Sequence, residues 1–325
     1  MPLLPLLAIC QFLPYQHVFG VLQLVNRHFY TSIRDRKVKF LELKLKAPSV
    51  ELIRQLDRRI IINCTRLILS SMSGHRLQYP TGSGEKATIE IFLRKLIPSV
   101  TRLQWKGDTH HQPIVMPLIN GAIKLTVLEI DDKLSWDLWN WSLHTINPSV
   151  KTVIYHGGID MSLPGPLHIF PGIEILQTRR LEEGLTQVNY NNLARIEHLE
   201  IERVRFSCPP LGLMLNLTSA KFGSIGVSRE TDGPSVLNEL TKVLRRLARL
   251  RNLELKIDQR ITNAHCVKQG LQKLSIYTPN TLENLAVFID CWDDEHPIID
   301  PEIRTILQKF PNHINTIKYQ GEVVR

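Results

Sequence analysis

What the chain lacks narrows its reading first. Its five cysteines, Cys10, Cys64, Cys208, Cys266 and Cys291, form no CxxC pair, and no Cys/His set has zinc-ligand spacing. An odd, scattered set implies reduced thiols rather than a disulfide framework, and hence a cytoplasmic and/or nuclear setting. Cys64 falls among apolar residues and is expected to pack as a small hydrophobe. No segment is apolar for long enough to cross a membrane, so no membrane partner is expected. The apolar start lacks a leading Lys or Arg and is broken by Pro2, Pro5 and Pro14, which argues against a signal peptide. Three sequons, at Asn63, Asn140 and Asn216, are motifs too short to outweigh this.

Catalytic motifs are missing too. There is no HExxH, no nucleophile elbow and no glycine-rich dinucleotide turn. The Gly82–Thr88 stretch lacks the adjacent Gly-Lys-Ser/Thr of a phosphate loop, and His110, His111 and the 293–296 cluster have no ligand partners at useful spacing. No enzyme activity, metal or cofactor is expected. Lys and Arg number 40 against 31 Asp and Glu, a net charge of +9. That surplus suits acidic partners but does not by itself indicate nucleic acid. The densest basic run, Arg245, Arg246, Arg249 and Arg251, reads as a solvated face after a helix.

What the chain has is repetition. A frame of apolar-x-x-apolar-x-apolar begins at Val38, Cys64, Val100, Leu125, Val150, Ile173, Ile196, Leu217, Leu250, Leu282 and Ile314. A unit recurring every few tens of residues points to a solenoid, in which each unit buries its apolar face by stacking on its neighbours. The alternation ending each frame is that of a short, half-buried strand. Between frames lie helically spaced stripes: Val50, Ile53 and Leu56; Ile89, Phe92, Leu93 and Leu96; Leu237, Leu240, Val243, Leu244 and Leu247; Ile303, Ile306, Leu307 and Phe310. Pro301 suits a first helical position, whereas the prolines of 162–171 favour turns or 3₁₀ pieces.

Strand, connection, strand, always in one sense, gives a parallel sheet with right-handed crossovers. The expected fold is α/β: a solenoid bent into a horseshoe or arc, with about eleven irregular units over residues 36–325. Leu199, Ile201, Leu253, Leu255, Leu285 and Val287 should be buried. Residues alternating with the apolar ones should face away from the core, onto the concave sheet. There the candidate binding residues are Arg102, Gln104, Lys106, Glu129, Asp131, His156, Arg179, His198, Glu200 and Glu202, continued by Ser219, Lys221, Asn252, Glu254 and Lys256. The mixed sign of this face suits a protein partner better than a nucleic-acid backbone.

The frames resemble the leucine-rich repeat family, in its irregular form. The Asn or Cys that the family favours three residues past each frame is absent here, with Asp108, Asp258 and Asp290 the nearest substitutes. The first 35 residues are similar to an F-box, through Pro2, Ile9-Cys10, Phe12-Leu13-Pro14 and Val25-Asn26-Arg27-His28-Phe29. Met1, Leu4 and Pro5 depart from that pattern. The combined resemblance implies a non-catalytic substrate adaptor of a Skp–cullin–F-box ubiquitin ligase. It implies that Pro2, Leu6, Ile9, Leu13, Val18, Leu22 and Val25 lie in a groove of the Skp linker protein, and through it join cullin, while the repeats hold a protein substrate. The alternative is a generic repeat scaffold whose first helices only cap the solenoid.

Overall fold

A computed structural model of the chain describes residues 38–46, 62–70, 91–106, 119–131, 147–160, 166–182, 191–204, 211–225, 236–258, 264–290 and 300–325. The F-box-like segment, the Val50, Ile53 and Leu56 stripe, the Gly82–Thr88 stretch, His110, His111 and the 293–296 cluster lie outside them. The chain divides into two units, 1–154 and 155–325.

Eleven frames give eleven strands. In the first unit these are β1 (Val38–Lys46), β2 (Ile62–Ser70), β3 (Arg102–Lys106) and β4 (Val127–Ile130), and β5 (Thr152–Asp160) spans the division. The second unit continues with β6 (Ile175–Glu182), β7 (His198–Ile201), β8 (Ser219–Ile225), β9 (Asn252–Asp258), β10 (Asn284–Asp290) and β11 (Thr316–Tyr319). Spatial order follows chain order within each unit. Pairing is parallel from β1 to β4 and from β6 to β11. Each unit is thus a run of parallel strands built on the repeated frame, of α/β class, as the leucine-rich-repeat resemblance implies.

In the first two frames the first apolar residue, Val38 or Cys64, lies within β1 or β2. From the third frame onward it precedes the strand, and in eight frames its N–H is tied back to the carbonyl three residues earlier. Val100, Leu125, Ile173, Ile196, Leu217, Leu250, Leu282 and Ile314 all make this bond, at 2.9 to 3.2 Å. Each is 0 or 1% exposed, so the turn drives a side chain into the core. The next residue then donates to the matching carbonyl of the preceding unit, as in Thr101 to Thr65, Thr218 to Glu197 and Glu283 to Arg251, each at 2.8 Å. One turn and one rung therefore recur per unit, satisfying backbone groups that burial would otherwise strand. The remaining two frame residues point inward from the strand, and Leu199, Ile201, Leu253, Leu255, Leu285 and Val287 are all buried.

The connections vary. Residues 91–96 are helical and run into a 3₁₀ turn, Ile97–Ser99. Later come α1 (Pro166–Ile169), one α-helical turn where the prolines favoured turns or 3₁₀ pieces, then α2 (Val236–Leu244), α3 (Ala264–Tyr277) and α4 (Pro301–Gln308). Leu247 and Phe310 belong to the buried stripes but lie beyond their helices, in the following turns. α4 starts as its sequence implies. Asp300 accepts from the Glu302 and Ile303 N–H groups, with Pro301 in the first turn.

The missing Asn after the frame is replaced by asparagines before it. Asn147 Nδ2 donates to the Ile119 and Ala122 carbonyls, Asn192 to Leu167 and Asn216 to Ala194. Each binds the connection of the preceding unit, so the ladder runs along the opposite end of the strands from the one anticipated. A short β12 (Glu322–Val323) folds back antiparallel on β11, through Gln320 and Gly321, both at positive φ. Such a pair of positive φ values is the turn that matches strand twist, and glycine takes the second position without steric cost.

Candidate functional site

Alternation places the candidate residues on the outward side of the sheet, and the division of the chain separates them into two groups. Arg102, Gln104, Lys106, Glu129 and Asp131 stand in the first unit, and His156, Arg179, His198, Glu200 and Glu202 in the second.

In the first unit the outward side chains close over one another. Glu42 pairs with Arg66 at 2.9 Å, and Arg66 donates to Gln104 Oε1. Gln104 Nε2 donates to Glu129, which also holds Arg102 at 3.1 Å. Gln104 faces outward but is only 5% exposed, because Arg66 and Glu129 reach across it from the flanking strands. The register explains this: Gln104 lies between Ile68 and Glu129, and Ile68 is 7% exposed. Lys106 is exposed and Asp131 half-buried.

In the second unit the same face opens. Across β6 to β11 runs a groove of about 500 Å³. The first row along its floor is Ile175, His198, Ser219, Asn252, Asn284 and Thr316, and the second is Gln177, Glu200, Lys221, Glu254, Ala286 and Lys318. Short side chains, chiefly Ser219 and Ala286, leave the space. Lys221 sits between Glu200 and Glu254, 3.4 Å from each. Partial desolvation works against its charge, but the two carboxylates outweigh it and hold its pKa above the usual lysine value. Asn284 donates to Asn252 Oδ1 at 2.7 Å, fixing that pair of amides.

Of the candidates, His198 and Glu200 line the groove. His156, Arg179 and Glu202 do not, and Glu202 is exposed beside Arg203 at 3.8 Å. Ala286, Asn284, Thr316 and Lys318 were missed, although extending the alternation rule to the frames at Leu282 and Ile314 finds all four. Chemically the groove offers the carboxylates of Glu200 and Glu254, the amides of Gln177, Asn252 and Asn284, the His198 imidazole, the Ser219 and Thr316 hydroxyls and the ammonium groups of Lys221 and Lys318. Among the described residues no three His, Cys, Asp or Glu could hold a metal ion. Burial pushes the Cys64 thiol up to about 12, which leaves it unreactive.

No family model matches the chain, and no curated protein matches it. Among solved structures it is similar to the crystal structure of the leucine-rich repeat-containing protein LegL7 from Legionella pneumophila. The two share 15% identity over 87% of this chain and 92% of that one, with a TM-score of 0.42. A likeness at that level transfers no partner or activity, and the fold assignment rests on the strand order and the repeated turn.

Proposed function

We propose that the chain is a non-catalytic protein-binding scaffold whose groove across β6 to β11 holds a segment of a protein partner. The observation that carries this is the opening itself: six parallel strands present two rows of small and charged side chains around about 500 Å³ of space. Mixed carboxylate, amide and ammonium groups suit the varied polar groups of a polypeptide, and uniform phosphate charge would meet Glu200 and Glu254.

The finer reading is a substrate adaptor of a Skp–cullin–F-box ubiquitin ligase, supported by the F-box-like pattern from Pro2 to Phe29. Ubiquitin transfer would belong to partner subunits. The test is affinity purification of the full chain from cells. Ile9→Asp with Leu13→Asp puts charge on the docking face, where it goes unpaired on burial. Loss of the Skp linker with retention of other captured proteins supports the adaptor. Retention of the linker, or its absence from the unaltered chain, refutes it and leaves the scaffold with an N-terminal cap. In parallel, Glu200→Lys with Lys318→Glu should deplete captured proteins and spare the linker. An unchanged set of captured proteins would move the binding site elsewhere.

A further inference from the structure

The basic run in the second unit is more than a solvated face. Between Leu240 and Leu253 the sequence holds five cations and no Asp or Glu, and from Ala264 to Leu282 it again holds none. Some of these cations have partners: Lys242 pairs with Glu239, Arg251 with Glu283, and Lys268 with Asp300 and Glu302. Arg245, Arg246, Arg249 and Lys273 have no carboxylate partner among the described residues. The three arginines follow the end of α2, and Lys273 lies on α3 about one turn before its end. Arg246 lies over Gly212, where an added Cβ would stand 3.7 Å from its Cδ. Arg249 Nη1 donates to Asn216 Oδ1 at 2.8 Å. Gly212 and Asn216, the residues these two arginines approach, bracket Leu215 in sequence, and Leu215 is 58% exposed. Arg245 stacks 5.9 Å from the centre of the Tyr277 ring, beside Ile276, which is 73% exposed.

A cation at a helix C-terminus complements the helix dipole, which accounts for Arg245 just past α2. It does not account for the large aliphatic side chains of Leu215 and Ile276 left in water. From Leu215 to Ile276 this edge combines unbalanced positive charge with unburied apolar surface.

We propose that this edge is a second interaction surface, separate from the groove, and that it binds an acidic polypeptide segment carrying aliphatic side chains. Guanidinium forks match carboxylates in two-point hydrogen bonds. Leucine or isoleucine on the segment would cover Leu215 and Ile276. A nucleic-acid backbone would satisfy the arginines and leave both aliphatic groups exposed.

The test uses the full chain and three labelled probes in fluorescence anisotropy: a peptide of alternating glutamate and leucine, a peptide of glutamate and serine of equal charge, and a single-stranded oligonucleotide. The glutamate–leucine peptide should bind at least tenfold more tightly than either of the others. Arg246→Glu with Arg249→Glu should weaken it more than tenfold, and Leu215→Ser severalfold, with circular dichroism and thermal transition unchanged. Should a variant lose its fold, Arg246→Gln alone gives the same comparison with a smaller loss. Equal binding of the serine peptide refutes the apolar component, and tighter binding of the oligonucleotide refutes the choice of partner. Binding indifferent to the arginine changes refutes the site.

Discussion

The outward faces of the two units obey one rule of alternation and end in opposite states. In the first, Arg66, Gln104, Glu129 and Arg102 are long enough to span neighbouring strands, and they close the face. In the second, the matching rows carry Ser219, Asn252, Asn284 and Ala286, and Lys221 spans three strands. Backbone geometry sets the direction of these side chains, but their length decides whether a surface is sealed or open. A sealed polar face has groups that suffer when a partner is removed, because the survivors are cut off from water. An open one does not.

The largest effect should come from beneath both faces, where the comparison predicts no difference. Leu103 and Leu253 occupy the same frame position and are 0 and 2% exposed. Replacing either with Ala should cost about 2–5 kcal/mol, through lost burial and the cavity left behind. Urea unfolding of the two variants checks this. A Leu253 variant costing under about 1 kcal/mol, against the usual range for buried leucine, would mean that the groove overlies a loosened core.

That core was the most legible part of the molecule. Burial at fixed spacing is a property of each residue and its own strand, so the frames marked eleven strands without knowledge of their neighbours. Properties that depend on two units at once were not legible. Gln104 was correctly directed outward, but its burial is set by Arg66 and Glu129, 38 and 25 residues away. The Asn147, Asn192 and Asn216 ladder escaped notice for the same reason, since its acceptors lie in the preceding unit. β12 carries no apolar alternation, and its only signal was the Gln320-Gly321 turn.

The next contrast separates the two faces directly. Glu129 holds two partners and its side chain is 13% exposed, whereas Glu254 holds Lys221 and is 37% exposed. Glu129→Ala leaves Arg102 and Gln104 without their acceptor and should cost about 1–3 kcal/mol. Glu254→Ala breaks a screened surface pair and should cost about 0–1 kcal/mol. Denaturant midpoints measured at moderate salt rank the two. Equal costs would show that the first face is no more sealed than the second.

A smaller effect lies in the helical layer of the second unit, where one carboxylate serves two purposes. Asp300 caps α4 and pairs with Lys268 at 3.1 Å. Desolvation raises its pKa, but the Lys268 bond and the two backbone N–H groups prevail and hold it below the usual aspartate value. Because the folded pKa is depressed, the stabilisation is present above the unfolded value of about 3.9 and is lost as pH falls through the folded one. Asp300→Ala should cost about 1 kcal/mol at neutral pH, and less once the pH falls below that window. Asp300→Asn should keep most of the cap and lose the pH dependence. A difference between wild type and Asp300→Ala that persists unchanged at pH 2 would remove the ionised carboxylate from the account.

The smallest effect tests whether the open face is held open by charge. Lys221 Nζ lies 3.4 Å from both Glu200 and Glu254, so the two carboxylate oxygens it bridges stand no more than about 7 Å apart, inside the screening length of roughly 8 Å at physiological salt. Its pKa is raised in the fold, so its contribution is present below the unfolded lysine value of about 10.4 and is lost as pH rises through the folded one. With its side chain 49% exposed, Lys221→Met should change stability by no more than about 1 kcal/mol. The consequence for the groove should be larger than that for the fold. Without Lys221 the two carboxylates stand unbalanced, and the groove becomes an acidic slot that disfavours anionic partner groups and attracts cationic ones. Protein capture by the variant should therefore shift in composition while its unfolding midpoint stays within error of wild type. A midpoint that moves as far as that of Glu129→Ala would place Lys221 among the structural bridges of the first face and dissolve the contrast between the two.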